Sequence, residues 1–194
     1  MSDPFQDGAS FDLIELPEGV ARLLREVGAT TLLVAHLRLV HDVAARLLDA
    51  LLREWPELQV DSEAVLFGAA THDIGKTLHP DELSQPGTLH ESNGLRLLID
   101  RGIEDRFARF AETHARWKQG GRRCTFEDLL VALADTCWKG KRSPTLEDLV
   151  CRQLLTQIPG EQWEVFATLD DVIDGFAADG DQRLAWQSQY TDCA

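Results

Sequence analysis

Apolar residues along this chain recur mainly at helical spacing. Between Pro17 and Val27 they fall at Val20, Leu23, Leu24 and Val27, with Pro17 suited to a first-turn position and Gly28 to a stop. Thr30 or Thr31 opens a long helix that ends before Pro56, with an inward stripe of Leu32, His36, Leu39, Val40, Val43 and Leu47. A third helix follows Asp61 and carries Val65, Leu66 and Ala69 into Thr71-His72-Asp73, where Gly75 breaks it. The stretch Leu78–Thr88 holds two prolines and a glycine and is expected to be loop. Residues 90–100 and 103–117 read as two helices separated by Gly102. Thr125-x-x-Asp128 resembles a capping box opening a helix through Ala134 and Asp135, and Thr145-x-x-Asp148 repeats the signal for a helix to Ile158. Segment 161–189 is expected to be helical again, interrupted near Gly175 and Gly180.

No stretch sustains period-two alternation with β-branched enrichment, so the fold class is all-α. At 194 residues the chain suits one helical domain over 16–194, preceded by a polar, loosely held tail over 1–15. Charge narrows the partners. With 33 acidic and 19 basic residues the formal charge is −14, which repels phosphate backbones and anionic membranes. A small anionic substrate is compatible where local cations override that field, and an acidic helical domain with apolar faces could form a homodimer. Cys124, Cys137, Cys151 and Cys193 lie far apart without a CxxC pair. No signal-peptide pattern and no apolar run of ~20 residues is present, so a cytoplasmic protein with reduced, mostly buried thiols is expected.

The strongest local signal is Thr71-His72-Asp73-Ile74-Gly75-Lys76. It places two metal-capable side chains of different hardness at the end of an apolar helix, with a cation beside them. An HD pair alone is as readily a helix cap as a site. His36 sits on the apolar stripe of its helix, and Asp135 closes the apolar run Leu129–Ala134. An unpaired imidazole or carboxylate in such places is costly to bury, and either a metal or local hydrogen bonds would satisfy it. His41 competes with His36, but five residues is roughly 140° around a helix, so the two cannot share a cavity. The stripe favours His36 and leaves His41 beside the site or at the surface. His79, in a proline-bearing loop, is not expected to be a ligand.

The order His36 … His72-Asp73 … Asp135, with Val40, Ala44 and Leu47 following the first histidine, resembles the HD-domain superfamily of metal-dependent phosphohydrolases over roughly residues 30–142. The resemblance implies an HD-type helical bundle with additional helices after it. His90 and His114 stand where a two-metal subset of that superfamily supplies extra histidines, and the pattern is similar to bacterial hydrolases of symmetrical diadenosine tetraphosphate. Carried over, His36, His72, Asp73 and Asp135 would hold one ion, and Asp73, His90 and His114 the other. The resemblance does not extend to residues 145–194.

Imidazole and carboxylate donors without thiolate suit divalent iron, manganese, cobalt or zinc without selecting among them; the resemblance to the two-metal subset puts iron or manganese first, with zinc, cobalt or magnesium behind. Two such ions ~3.5–4 Å apart can activate a bridging hydroxide for attack on phosphorus. The expected activity is therefore hydrolysis of a phosphate ester or phosphoanhydride, of a nucleotide in the first instance. Asp73 and Lys76 would be the central catalytic groups, Lys76 also meeting the phosphoryl oxygens. The cluster Lys139-Gly-Lys141-Arg142 follows Asp135 and is either a phosphate-binding patch, through Lys141 and Arg142, or an exposed basic loop. Trp117 and Trp138 read as core packing ahead of base platforms. Two other readings share the same ligands: a di-iron oxygenase, and a nucleotide sensor without turnover.

Overall fold

Thr30 precedes the longest helical run in the chain, and its side chain accepts a hydrogen bond from Leu33 N at 3.3 Å. In the computed structural model, which describes residues 3–5, 12–119 and 124–190, that cap starts α2 (Thr31–Glu54). Ahead of it, α1 (Glu18–Glu26) begins directly after Pro17 and ends before Gly28, whose φ of +69° reverses the chain. Asp61 accepts from Ala64 N to open α3 (Ser62–Thr71). After the metal-capable motif come α4 (Leu89–Ile99), the single turns α5 (Asp105–Ala108) and α6 (Phe110–Thr113), and α7 (Phe126–Cys137). The chain closes with α8 (Pro144–Leu155), α9 (Gln162–Ala178) and α10 (Gly180–Gln187). Among the described residues there is no strand, so the fold is all-α. None of these helices is long and apolar enough to cross a membrane.

Helices α2, α3, α7, α8 and α9 bury a large apolar cluster that includes Leu47, Leu51, Phe110, Leu130, Leu133, Leu154 and Ile173. A smaller cluster joins α1, the start of α2, Ile74 and Leu98. Ala35 belongs to the first cluster and Leu37 to the second, as do Ala69 and Ala70 respectively. His36 and the His72-Asp73 pair therefore stand at the seam between two packed bodies, where the backbone is held on both sides.

Several local expectations are corrected. The helix expected over 103–117 is broken into α5, α6 and a 3₁₀ turn at Arg116–Gln119. Arg109 and Thr113 both reach Asp128 Oδ1 on α7, which pins this segment to its neighbour turn by turn. The capping box at Thr125 and Asp128 is present, but the one at Thr145 is not. There Ser143 precedes Pro144, and Glu147, held by Arg142, accepts from Ser143 N instead. Gly175 lies open on α9 without interrupting it. The break falls at Asp179–Gly180, where a Cβ on Gly180 would lie 2.6 Å from Gly140 N.

The described part of the expected loose tail is anchored. Leu13 is buried, Ile14 N donates to Asp42 Oδ1 at 3.0 Å, and Arg38 Nη1 donates to Pro4 O at 3.0 Å. Cys124, Cys137 and Cys151 are free thiols, with burial pushing Cys137 up to about 12; Cys193 lies outside the described residues.

Candidate metal centre

His72 closes α3 in helical conformation, so its ring points back along the helix, and its Nδ1 lies 3.0 Å from Ala69 O. Asp73 follows at φ −99°, where the helix tightens into the 3₁₀ turn Ile74–Thr77. Gly75 in that turn has no left-handed φ, so it serves close approach and not a sharp reversal. A Cβ there would lie 2.0 Å from His90 O and 2.7 Å from Gly94 N. This contact brings the first turn of α4, with His90, against the HD pair. His114 ends α6 with Nδ1 3.1 Å from Phe110 O, and Phe110 packs on Gly68 of α3. Asp135 comes from the last turns of α7, and His36 from the second turn of α2.

These six side chains converge in two groups. His36, His72 and Asp135 bring one donor atom each within 4.8 Å of one another, and so do Asp73, His90 and His114. Asp73 joins the groups. Its Oδ2 lies 3.4 Å from His36 Nε2 and 3.7 Å from His72 Nε2. Its Oδ1 lies 3.2 Å from His90 Nε2 and 3.8 Å from His114 Nε2. Asp135 Oδ1 stands 3.4 Å from His36 Nε2 and 3.6 Å from His72 Nε2.

The hydrogen bonds at the far ring nitrogens assign the tautomers. A carbonyl or carboxylate can only accept, so His72, His90 and His114 carry their proton on Nδ1 when neutral. Each Nε2 then presents a lone pair toward carboxylate oxygens and toward the other rings. Nε2 of His36 and of His72 are only 3.4 Å apart. The His72 Nε2 lone pair there accepts either the His36 Nε2 proton or a cation held between the rings, and imidazole with carboxylate is a donor set that suits a divalent ion. Electrostatics keeps the two carboxylates ionised, and against burial their charge in turn raises His72 and His90. Burial alone would raise Asp73 and Asp135, but the surrounding histidines hold both carboxyls well below the usual range. Burial, reinforced by His72, lowers His114 to about 4 and keeps it neutral.

Glu82 was not selected from the sequence. It lies in the 3₁₀ turn Pro80–Leu83, within the stretch expected to be loop. His90 Nδ1 donates to its Oε2 at 2.5 Å, and the same oxygen accepts His90 N at 3.0 Å. Its other oxygen accepts Leu89 N at 3.1 Å, so one carboxylate caps α4 and orients a candidate ligand. Only a carboxylate eight residues before a histidine hinted at this, and the two lie on different elements across a loop, where no helical or strand period applies.

The remaining candidates are placed as follows. Lys76 Nζ donates to Asp73 Oδ2 at 2.6 Å. His41 is buried away from both donor groups, and burial together with Arg38 lowers it to about 4. His79 Nε2 meets the Asn93 amide. Lys141 is exposed and lines none of the described pockets. Arg142 departs from the expected phosphate contact: Glu147, Asp170 and Asp174 hold its guanidinium and tie α8 to α9. From the same basic cluster it is Lys139 that reaches a pocket at the centre. Two pockets flank Lys76. One is lined by His90, Glu91, His114, Trp117, Lys118 and Asp135, the other by His36, Trp138, Lys139 and Gln187 among others.

A curated relative, the tRNA (cytidine(56)-2'-O)-methyltransferase of Thermoplasma volcanium, is 25% identical over 160 residues. The match covers 76% of this chain but 44% of that protein, so the chain spans less than half the relative's length. No solved structure matches the chain. The HD domain family matches residues 33–138, a span that starts three residues before His36 and ends three after Asp135. With more than half of its length matched and the histidines and aspartates gathered at one seam, the chain belongs to the HD domain family.

Proposed function

We propose that this protein is a metal-dependent phosphohydrolase that transfers a phosphoryl group from a small phosphorylated substrate, a nucleotide, to water. The observation that carries the reading is Asp73: one carboxylate oxygen faces each group of imidazoles. A carboxylate so placed can bridge two ions, and bound ions of this kind activate water and polarise phosphoryl oxygens. The donor set favours iron or manganese over magnesium because four of its six members are imidazoles.

The chain's own groups complete the chemistry. Asp135 keeps a third of its side chain exposed and opens the centre to solvent, whereas His72 is fully buried. Lys76 uses one N–H on Asp73 and has two left for phosphoryl oxygens, where charge builds as the bond to phosphorus breaks. A polymeric tRNA ligand suits the chain poorly, since at −14 its field opposes a phosphate backbone and only local cations favour a compact anion. A dinucleoside polyphosphate is one compact substrate of this class.

Elemental analysis of protein purified without chelators, combined with a nucleotide hydrolysis screen in air and under nitrogen, tests the reading. Two metal equivalents per chain and hydrolysis that is indifferent to oxygen are expected. Asp73→Ala is expected to remove both. Turnover that requires oxygen would replace the reading with an oxygenase, and nucleotide binding without turnover would replace it with a sensor. No metal after reconstitution would overturn it.

A further inference from the structure

The pocket on the α10 side of Lys76 is chemically unlike the rest of the molecule. It is lined by Leu32, His36, Lys76, Leu83, Trp138, Lys139 and Gln187, with room for about 260 Å³. No carboxylate lines it, although acidic residues outnumber basic ones 33 to 19 in the chain. The pocket on the other side of Lys76 carries Glu91 and Asp135. Trp138 is 3% exposed, and its indole Nε1 is buried without a hydrogen-bond partner. Lys139 Nζ lies 5.3 Å from the centroid of the same indole. The pocket thus gathers two ammonium groups and a side-chain amide beside an indole face, with no carboxylate to neutralise them.

We propose that this pocket is a phosphate subsite that holds a second phosphate of the substrate while the scissile one lies at Asp73 and Lys76. The inference rests on the phosphohydrolase reading and deepens it. It makes a substrate with two linked phosphates the better ligand, and it assigns part of the recognition to the C-terminal helices outside the HD match. Those helices are built as a fixed wall. Gly180, at the start of α10, packs on the backbone of Lys139 and Gly140, so closely that a Cβ would meet Gly140 N at 2.6 Å. Gly140, at φ +75°, turns the chain away immediately after Lys139. Gln187 stands in the last turn of α10, and buried Arg183 locks that helix by donating to Phe176 O at 2.8 Å. A rigid wall bearing donors discriminates by distance, which suits a ligand whose second phosphate sits at one set spacing from the first.

The test is calorimetric binding of inorganic pyrophosphate and inorganic phosphate to the full chain, metal-free and metal-loaded, with metal content measured on the same samples. Pyrophosphate is expected to bind at least tenfold tighter than phosphate. Lys139→Ala is expected to erase most of that preference, and Gln187→Ala to reduce it several-fold. Arg22→Ala, which removes an exposed cation from α1, is expected to leave the preference unchanged and controls for net charge. Equal binding of the two anions, or a Lys139→Ala variant that keeps the preference, would overturn the subsite. The metal measurement is read separately. A chain that takes up no metal but keeps a Lys139-dependent preference would retain the subsite and lose the hydrolase.

Discussion

Glu82 Oε2 accepts the Nδ1 proton of His90 at 2.5 Å, so a residue in a proline-rich loop sets the tautomer of a candidate metal ligand on another element. Burial would raise this carboxyl, yet the hydrogen bonds from His90 and Leu89 hold it below the usual glutamate value. It is therefore ionised at neutral pH, and its charge strengthens His90 as a donor.

Glu82→Gln is expected to weaken metal binding at the Asp73–His90–His114 group by about 10–100-fold and to spare the His36–His72–Asp135 group. A stepwise metal titration checks this: the variant should lose one equivalent at metal concentrations that still fill the other. Equal loss at both groups would show that Glu82 acts on the fold and not on one ligand.

Gly75→Ala separates close packing from chemistry, because it alters no donor atom. The added methyl would lie 2.0 Å from His90 O, so α4 must shift and His90 with it. A stability loss of about 1–3 kcal/mol is expected, together with reduced metal stoichiometry at the His90 group. Thermal unfolding and elemental analysis of one preparation read both effects.

His41 carries a prediction about pH. Burial, aided by Arg38, lowers it from 6.5 to about 4, and its Nδ1 has no hydrogen-bond partner. In the folded chain it is neutral, whereas unfolded chains take up the proton below about 6.5. Its contribution is complete above pH 6.5 and is lost as the pH falls toward 4, to an extent on the order of 3 kcal/mol. Urea midpoints between pH 7 and 4 should fall less steeply in His41→Leu than in the natural chain. A slope remains in the variant, because His114 is lowered in the same direction.

Arg142→Met tests whether that guanidinium is structural. Glu147 is 3% exposed and loses the cation that satisfies it, while Asp170 and Asp174 lose their tie to α8. A cost of about 1–3 kcal/mol is expected, moderated because Arg142 itself is partly exposed, with turnover per folded molecule unchanged. A variant of full stability with a raised KM would return Arg142 to the substrate.

Helical spacing and capping residues made most of the fold legible. Thr30, Asp61 and the Thr125–Asp128 box act through contacts three residues away, and such contacts are written locally in the chain. Thr145 failed because its rival was an ion pair: Arg142, reaching across to α9, drew Glu147 to the helix start. His36, His72, Asp73 and Asp135 drew attention beside apolar runs, where an unpaired imidazole or carboxylate is costly, whereas His90 and His114 were selected only through the family resemblance.

What the sequence by itself determined is the helical class and the extent of the helices before the motif, which depend on neighbours within a turn or two; it also supplied the candidate donor residues. Tertiary structure alone decided that Asp73 turns one oxygen to each imidazole group, that Glu82 serves His90, and that Lys139, not Arg142, reaches the pocket. Those choices depend on how close two backbones come, at Gly75 against α4 and at Gly140 against Gly180. A distance between segments far apart in sequence follows from packing, and no periodicity within either segment encodes it.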